Sequence, residues 1–153
     1  MLTNDADETV GLALVDAARL LRLRFDRALE SAGLGLTAGE ARTLAHVALS
    51  PATRQTTLAA RMNVEPMTLV GFLDRLESRG LVEREPDPTD RRAKIVRLTP
   101  RSEPTLGQVR KIIETVQAAA MQGFQPEEVK TLRDLLIRLR KNMCGAESEA
   151  EQP

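Results

Sequence analysis

The chain has 153 residues, with 22 basic and 22 acidic side chains, one histidine and one cysteine. That length allows one domain with a full core, or a small globular unit with helices added to it. Zero formal net charge and a pI near 6.6 offer no bulk attraction to a polyanion, so any nucleic-acid surface must be a local patch. Lone Cys144 excludes an internal disulfide and argues against a thiolate metal site, in keeping with a reducing cytoplasm. With His46 the one imidazole, no nucleophile, base and orienting group can be assembled, so the chain does not read as an enzyme, and no metal or other cofactor is expected. The acidic start, Met1-Leu-Thr-Asn-Asp-Ala-Asp-Glu8, is unlike a signal peptide, and no apolar run is long enough to span a bilayer. A cytoplasmic protein with no membrane partner is expected.

Apolar residues Val10, Leu14, Ala17, Leu21, Phe25 and Ala28 recur at helical spacing, and Gly33 stops the run. The spacing predicts a first helix over about residues 8–32. Thr37 with Glu40 has the form of a capping box opening a second helix, which Ser50-Pro51 closes. A third, short helix is expected over Thr56–Met62, followed by Asn63 where a tight turn needs positive φ. Pro66 starts a fourth helix, which stops at Gly80. The period then becomes alternating, predicting strands over Leu81–Glu85 and Ala93–Leu98 with Asp87-Pro-Thr-Asp90 as their turn. Thr99-Pro100 signals another helix, but Pro104 lies too deep for a cap at Thr99; either Ser102 is the cap or the helix kinks there. Val109, Ile112, Ile113, Val116 and Ala120 mark that fifth helix. A sixth opens at Pro126, its Val129, Leu132, Leu136, Leu139 and Met143 spaced like a coiled-coil seam. The acidic, small-residue tail 145–153 is expected to be disordered.

The expected class is mainly α with a small β-wing. A winged helix-turn-helix over 35–99 joins a helical dimerisation region made of 1–34 and 100–144. On the fourth helix Leu69, Phe72, Leu73 and Leu76 face the core, leaving Met67, Gly71, Asp74 and Ser78 outward, flanked by Thr68, Val70 and Arg75. The amino-terminal part of that face, from Pro66 on, is what a major groove would meet. Thr68 can donate to a base edge or phosphate, and Met67 and Val70 can touch thymine methyls. Arg75 has no carboxylate three or four residues away, so base or phosphate contact stands beside simple solvation. In the hairpin Arg91, Arg92 and Lys94 cluster beside Asp90. An arginine there can enter a minor groove, with the carboxylate gripping its guanidinium by two prongs. Arg54, Thr56 and Thr57 precede or open the third helix, where exposed amides suit a phosphate.

The segments Leu58-Ala-Ala-Arg-Met-Asn-Val64, Leu73-Asp-Arg-Leu-Glu-Ser-Arg-Gly-Leu-Val-Glu-Arg84 and Asp87-Pro-Thr-Asp-Arg-Arg-Ala-Lys-Ile-Val-Arg-Leu-Thr99 resemble the MarR family of bacterial transcription regulators. Asp90 and Arg92 fill the family's aspartate and arginine wing signature. The resemblance implies a homodimer of two winged helices binding a pseudo-palindromic operator in double-stranded DNA. It often implies a repressor released by a small phenolic or aromatic ligand. The effector-binding residues are not indicated. The chain departs from the pattern at Gly71, where members often carry a polar or basic residue. It also lacks a cysteine near the first helix and has Ser102-Glu103-Pro104 in place of a glycine-bearing helix start. Neutral charge and Gly71 leave open the alternative of a winged-helix module that binds protein without sequence-specific DNA binding.

Overall fold

The computed structural model describes residues 9–150, with side chains described as far as Cys144. The helices are α1 (Val10–Ser31), α2 (Ala38–Leu49), α3 (Gln55–Met62), α4 (Pro66–Ser78), α5 (Glu103–Ala120) and α6 (Pro126–Ala150). The strands are β1 (Thr53–Arg54), β2 (Val82–Pro86) and β3 (Lys94–Leu98). One compact unit runs to Gln117, and a second begins at Ala118.

Within the first unit, Thr9 caps α1 and Thr37 caps α2. In the latter case Glu40 N donates to Thr37 Oγ1 and Thr37 N donates back to Glu40 Oε2, as the Thr-x-x-Glu spacing predicts. Asn63 takes φ 51° and closes α3 through its own amide and that of Val64, both donating to Ala59 O. This tight turn sets α4 beside α3. Leu44, Leu58, Leu69, Leu73, Leu76 and Val96 are fully buried in one core, which Leu29 of α1 and Leu106 and Val109 of α5 share. The first and fifth helices are therefore anchored in the same core as the helix-turn-helix, although the sequence reading places them in a separate region.

The sheet has three strands, in the order β1-β3-β2, all antiparallel. The sequence reading missed β1, whose Thr53 and Arg54 pair with Val96 and Ile95. Two residues are too few to show alternation. The expected turn at Asp87–Asp90 is present, inside a loop of the expected length shifted by one residue. Asp87 N donates to Ala93 O, and two successive turns at Asp87–Asp90 and Asp90–Ala93 fill the tip.

Pro100–Ser102 forms a 3-10 turn that leads straight into α5. The expected Ser102 cap is not made. Ser102 Oγ donates back to Thr99 O instead of capping, and Pro104 falls in the first turn of α5, where no helical bond is lost.

In the second unit, Gly123 with φ 89° precedes α6, and Gln125 N donates to Glu128 Oε2 at its start. The backbone of α6 stays helical to Ala150, past Gly145 where the tail was expected to begin. Alanine and glutamate in that stretch are good helix formers. Residues 151–153 of the expected tail lie outside the described residues.

Candidate nucleic-acid interface

Three features of the first unit carry the predicted site residues: the start of α3, the outer face of α4, and the loop between β2 and β3. The start of α3 has Arg54 as its N-cap residue with no side chain bonded to the first amides, and Thr56 and Thr57 are exposed there. The start of α4 is likewise uncapped, with Pro66 in its first turn. Each helix therefore presents amide donors and the positive end of its dipole to solvent. On the outer face of α4, Met67 is 77% exposed and Thr68 is exposed, while Val70 and Gly71 are half-buried.

Arg75 is placed differently from the sequence expectation. Its Nε donates to Glu40 Oε1 of α2, a carboxylate 35 residues away in sequence. Its own helix has no acid three or four residues away, and the partner comes from another element. Glu40 is 4% exposed and serves two helices at once: one oxygen completes the α2 capping box, and the other holds α4. Beside it, the Phe72 ring lies on Gly39, and a Cβ there would stand 2.3 Å from Phe72 Cζ. Glycine at 39 is therefore what lets α4 seat against α2. At the other end of α4, the guanidinium of Arg84 on β2 joins Asp74 and Glu77, at 2.6 Å to each. That hydrogen bonding holds the Glu77 carboxyl below its ordinary pKa and raises that of Arg84.

The wing is fixed at its base. Arg54 Nε donates to Asp87 Oδ2 at 2.5 Å and Arg54 Nη2 to Thr89 Oγ1 at 3.1 Å. Thr89 N and Oγ1 both donate to Asp87 Oδ1, at 2.8 and 2.7 Å. These bonds from Thr89, and then Arg54, push the Asp87 carboxyl down to about 2. Arg54, expected at a phosphate, thus spends two of its donors as a strut between β1 and the wing.

At the tip, the expected two-pronged grip of Asp90 on an arginine head is absent. Asp90 Oδ1 accepts instead from the Arg92 backbone amide at 3.1 Å, so the carboxylate shapes the turn. Arg91, Arg92 and Lys94 are exposed, and none has an ion-pair partner among the described residues. Unpaired positive charge therefore stands exposed on this loop and at the start of β3.

Sequence reasoning missed Gly39, Glu40 as a tether, and the pairing of Asp87 with Arg54. Each depends on residues far apart in the chain, and no local spacing signals them. His46 lies half-buried on α2, and burial, then Arg22, Arg42 and Arg61, lower its pKa. Cys144 is exposed. Among the described residues no cluster of metal-ligating side chains occurs, and no helix is long and apolar enough to cross a membrane.

Residues 36–94, which span α2 through the wing, match the MarR family. A crystal structure of MarR is 28% identical, with a TM-score of 0.79 over 97% of this chain and 99% of that one. A structure described as a transcriptional regulator is 31% identical, with a TM-score of 0.75 over 90% of this chain and 99% of that one. A MarR-family transcriptional regulator from Rhodococcus sp. RHA1 is 25% identical, with a TM-score of 0.72 over 89% of this chain and 94% of that one. The shared fold is mainly helical with a small three-stranded antiparallel sheet, the winged-helix fold. The chain belongs to the MarR family of DNA-binding transcription regulators.

Proposed function

We propose that the protein is a cytoplasmic homodimeric repressor that reads a pseudo-palindromic operator through two winged helices. The observation that carries this reading is a helix-turn-helix whose α3 and α4 both start without a side-chain cap, followed by a hairpin that leaves Arg91, Arg92 and Lys94 exposed and unpaired among the described residues. In this reading the α3 start, with Arg54, Thr56 and Thr57, receives a phosphate. Pro66, Met67, Thr68, Val70, Gly71 and Arg75 lie along the major groove. Asp90 shapes a wing tip whose Arg91, Arg92 and Lys94 meet the minor groove and its phosphates. Selection of bound duplexes from a random pool tests it. The expected result is paired half-sites about one helical turn apart, or a multiple of that. Binding with no site preference and no salt dependence would instead favour the protein-interaction alternative.

Exposed apolar side chains support the dimer. Val10, Leu12, Val15, Leu20 and Leu23 lie open on α1, and Leu135, Leu136 and Met143 lie open on α6. So many exposed apolar residues on two long helices call for a partner surface. Deleting residues 126–153 is expected to give aggregation or unfolding, read by size-exclusion chromatography and circular dichroism. A soluble, folded monomer would count against the dimer.

Release by a small aromatic or phenolic ligand is the finer part of the proposal. An open groove of about 250 Å³ lined by Ala28, Lys111, Ile112, Thr115 and Val116 supports it, because apolar walls with one cation suit an aromatic carboxylate. Loss of the selected duplex on adding hydroxybenzoates, weakened by Lys111→Ala, is the expected outcome.

A further inference from the structure

The outer side of α4 carries an arginine that is already held at one edge. Glu40 has a side chain only 5% exposed, whereas that of Arg75 is 56% exposed. The carboxylate therefore sits inside the fold and the guanidinium outside it, joined through Nε. Arg75 Cζ lies 5.7 Å from the centre of the Phe72 ring, and that ring is itself seated on Gly39. Its Nη1 would stand 3.8 Å from a Cβ on Gly71. The guanidinium thus lies across the gap that Gly71 leaves, fixed by a charged bond on one edge and an aromatic face nearby. Neither Nη1 nor Nη2 has a hydrogen-bond partner among the described residues.

Two parallel N–H groups at the end of a guanidinium match guanine O6 and N7 in a major groove. An arginine whose Nε is already committed keeps that fork while losing the freedom to wander to a phosphate. We infer that Arg75 reads a guanine in each half-site, and that Glu40 is its positioning residue, acting from α2 without touching DNA. This also gives Gly71 a role: it leaves room for Arg75 to lie over its position. The inference rests on the reading that α4 enters the major groove.

The test is duplex selection and competition binding with the full-length chain and with Glu40→Gln. Glutamine still accepts the Thr37 amide, as capping boxes allow, but it offers no anion to the guanidinium. The wild-type chain is expected to select one guanine per half-site whose replacement weakens binding about ten-fold. Glu40→Gln is expected to reduce that discrimination to about three-fold or less, leaving the salt slope and the penalties at other positions unchanged. Arg75→Lys, which keeps a cation but lacks the fork, should lose the same preference, and adding Glu40→Gln to it should cost nothing further. If Glu40→Gln weakens binding equally at every position with a matching fall in melting temperature, Glu40 is only structural and the inference fails. It fails too if the guanine preference survives either variant. A wild-type chain that selects no duplex overturns the DNA reading itself, and this inference with it.

Discussion

Helix α4 and the loop that follows β2 are neighbours in sequence and are held in opposite ways. The helix is tied along its length: Phe72 on Gly39, Arg75 to Glu40, and Asp74 and Glu77 to Arg84. The wing is tied at its root, where Arg54 and Thr89 bond Asp87, and it leaves Arg91 and Arg92 at its tip and Lys94 at the start of β3 unpaired. Reading base edges needs side chains held within a fraction of an ångström, which a clamped helix supplies. Following a phosphate backbone or a narrow groove needs charge that can adapt, which an unpaired tip supplies. Under the proposed function, the two regions divide specificity from affinity.

The comparison breaks first, and by the largest amount, at the seat of α4. Gly39→Ala sets a Cβ 2.3 Å from Phe72 Cζ, and overpacking of this kind costs about 1–3 kcal/mol. Chemical denaturation should register that loss, and Phe72→Leu in the same chain should restore part of it. A Gly39→Ala chain as stable as the parent would mean that α4 is not held where it is described.

Arg92→Ala should do the reverse. Stability should stay within about 0.5 kcal/mol, since the side chain bonds nothing in the fold. Binding to a selected duplex should weaken by about 1 kcal/mol, with the salt slope falling by about one. Measured binding that is indifferent to this change at moderate salt would remove the wing from the interface.

The smallest effect concerns the root of the wing and appears only in acid. Asp87 titrates at about 2 in the fold against an ordinary 3.8, so its bonds stabilise the native state above the ordinary value. That contribution diminishes as the pH falls from the ordinary value and is lost on passing through about 2. Exchange of the Thr89 amide should accelerate over this window, and Asp87→Asn should make it flat. An unchanged acid profile in Asp87→Asn would show that the carboxylate does not secure the wing.

Much of this organisation was legible in the chain itself, because it rests on short-range rules. Thr37 with Glu40 announced a capped helix, Asn63 a left-handed turn, Pro66 a helix start, and Leu81–Leu98 a change of period. The cations at 91, 92 and 94 could be placed on a hairpin tip for the same reason. Their freedom from partners could not, since spacing alone does not tell whether Asp90 grips an arginine head or, as here, accepts from the Arg92 backbone amide.

What the sequence determined by itself was the succession of elements and the charge carried by each, since periodicity, caps and turn residues act over a few neighbours. Only the tertiary structure decided which charges are available. Glu40 and Arg75 are 35 residues apart, and Arg54 and Asp87 are 33 apart. Pairing over such distances is set by how helices and strands pack, through contacts such as the Phe72 ring on Gly39. An arginine that looks free along its own helix can therefore be bound by a carboxylate from another, while three cations beside an aspartate stay open to solvent.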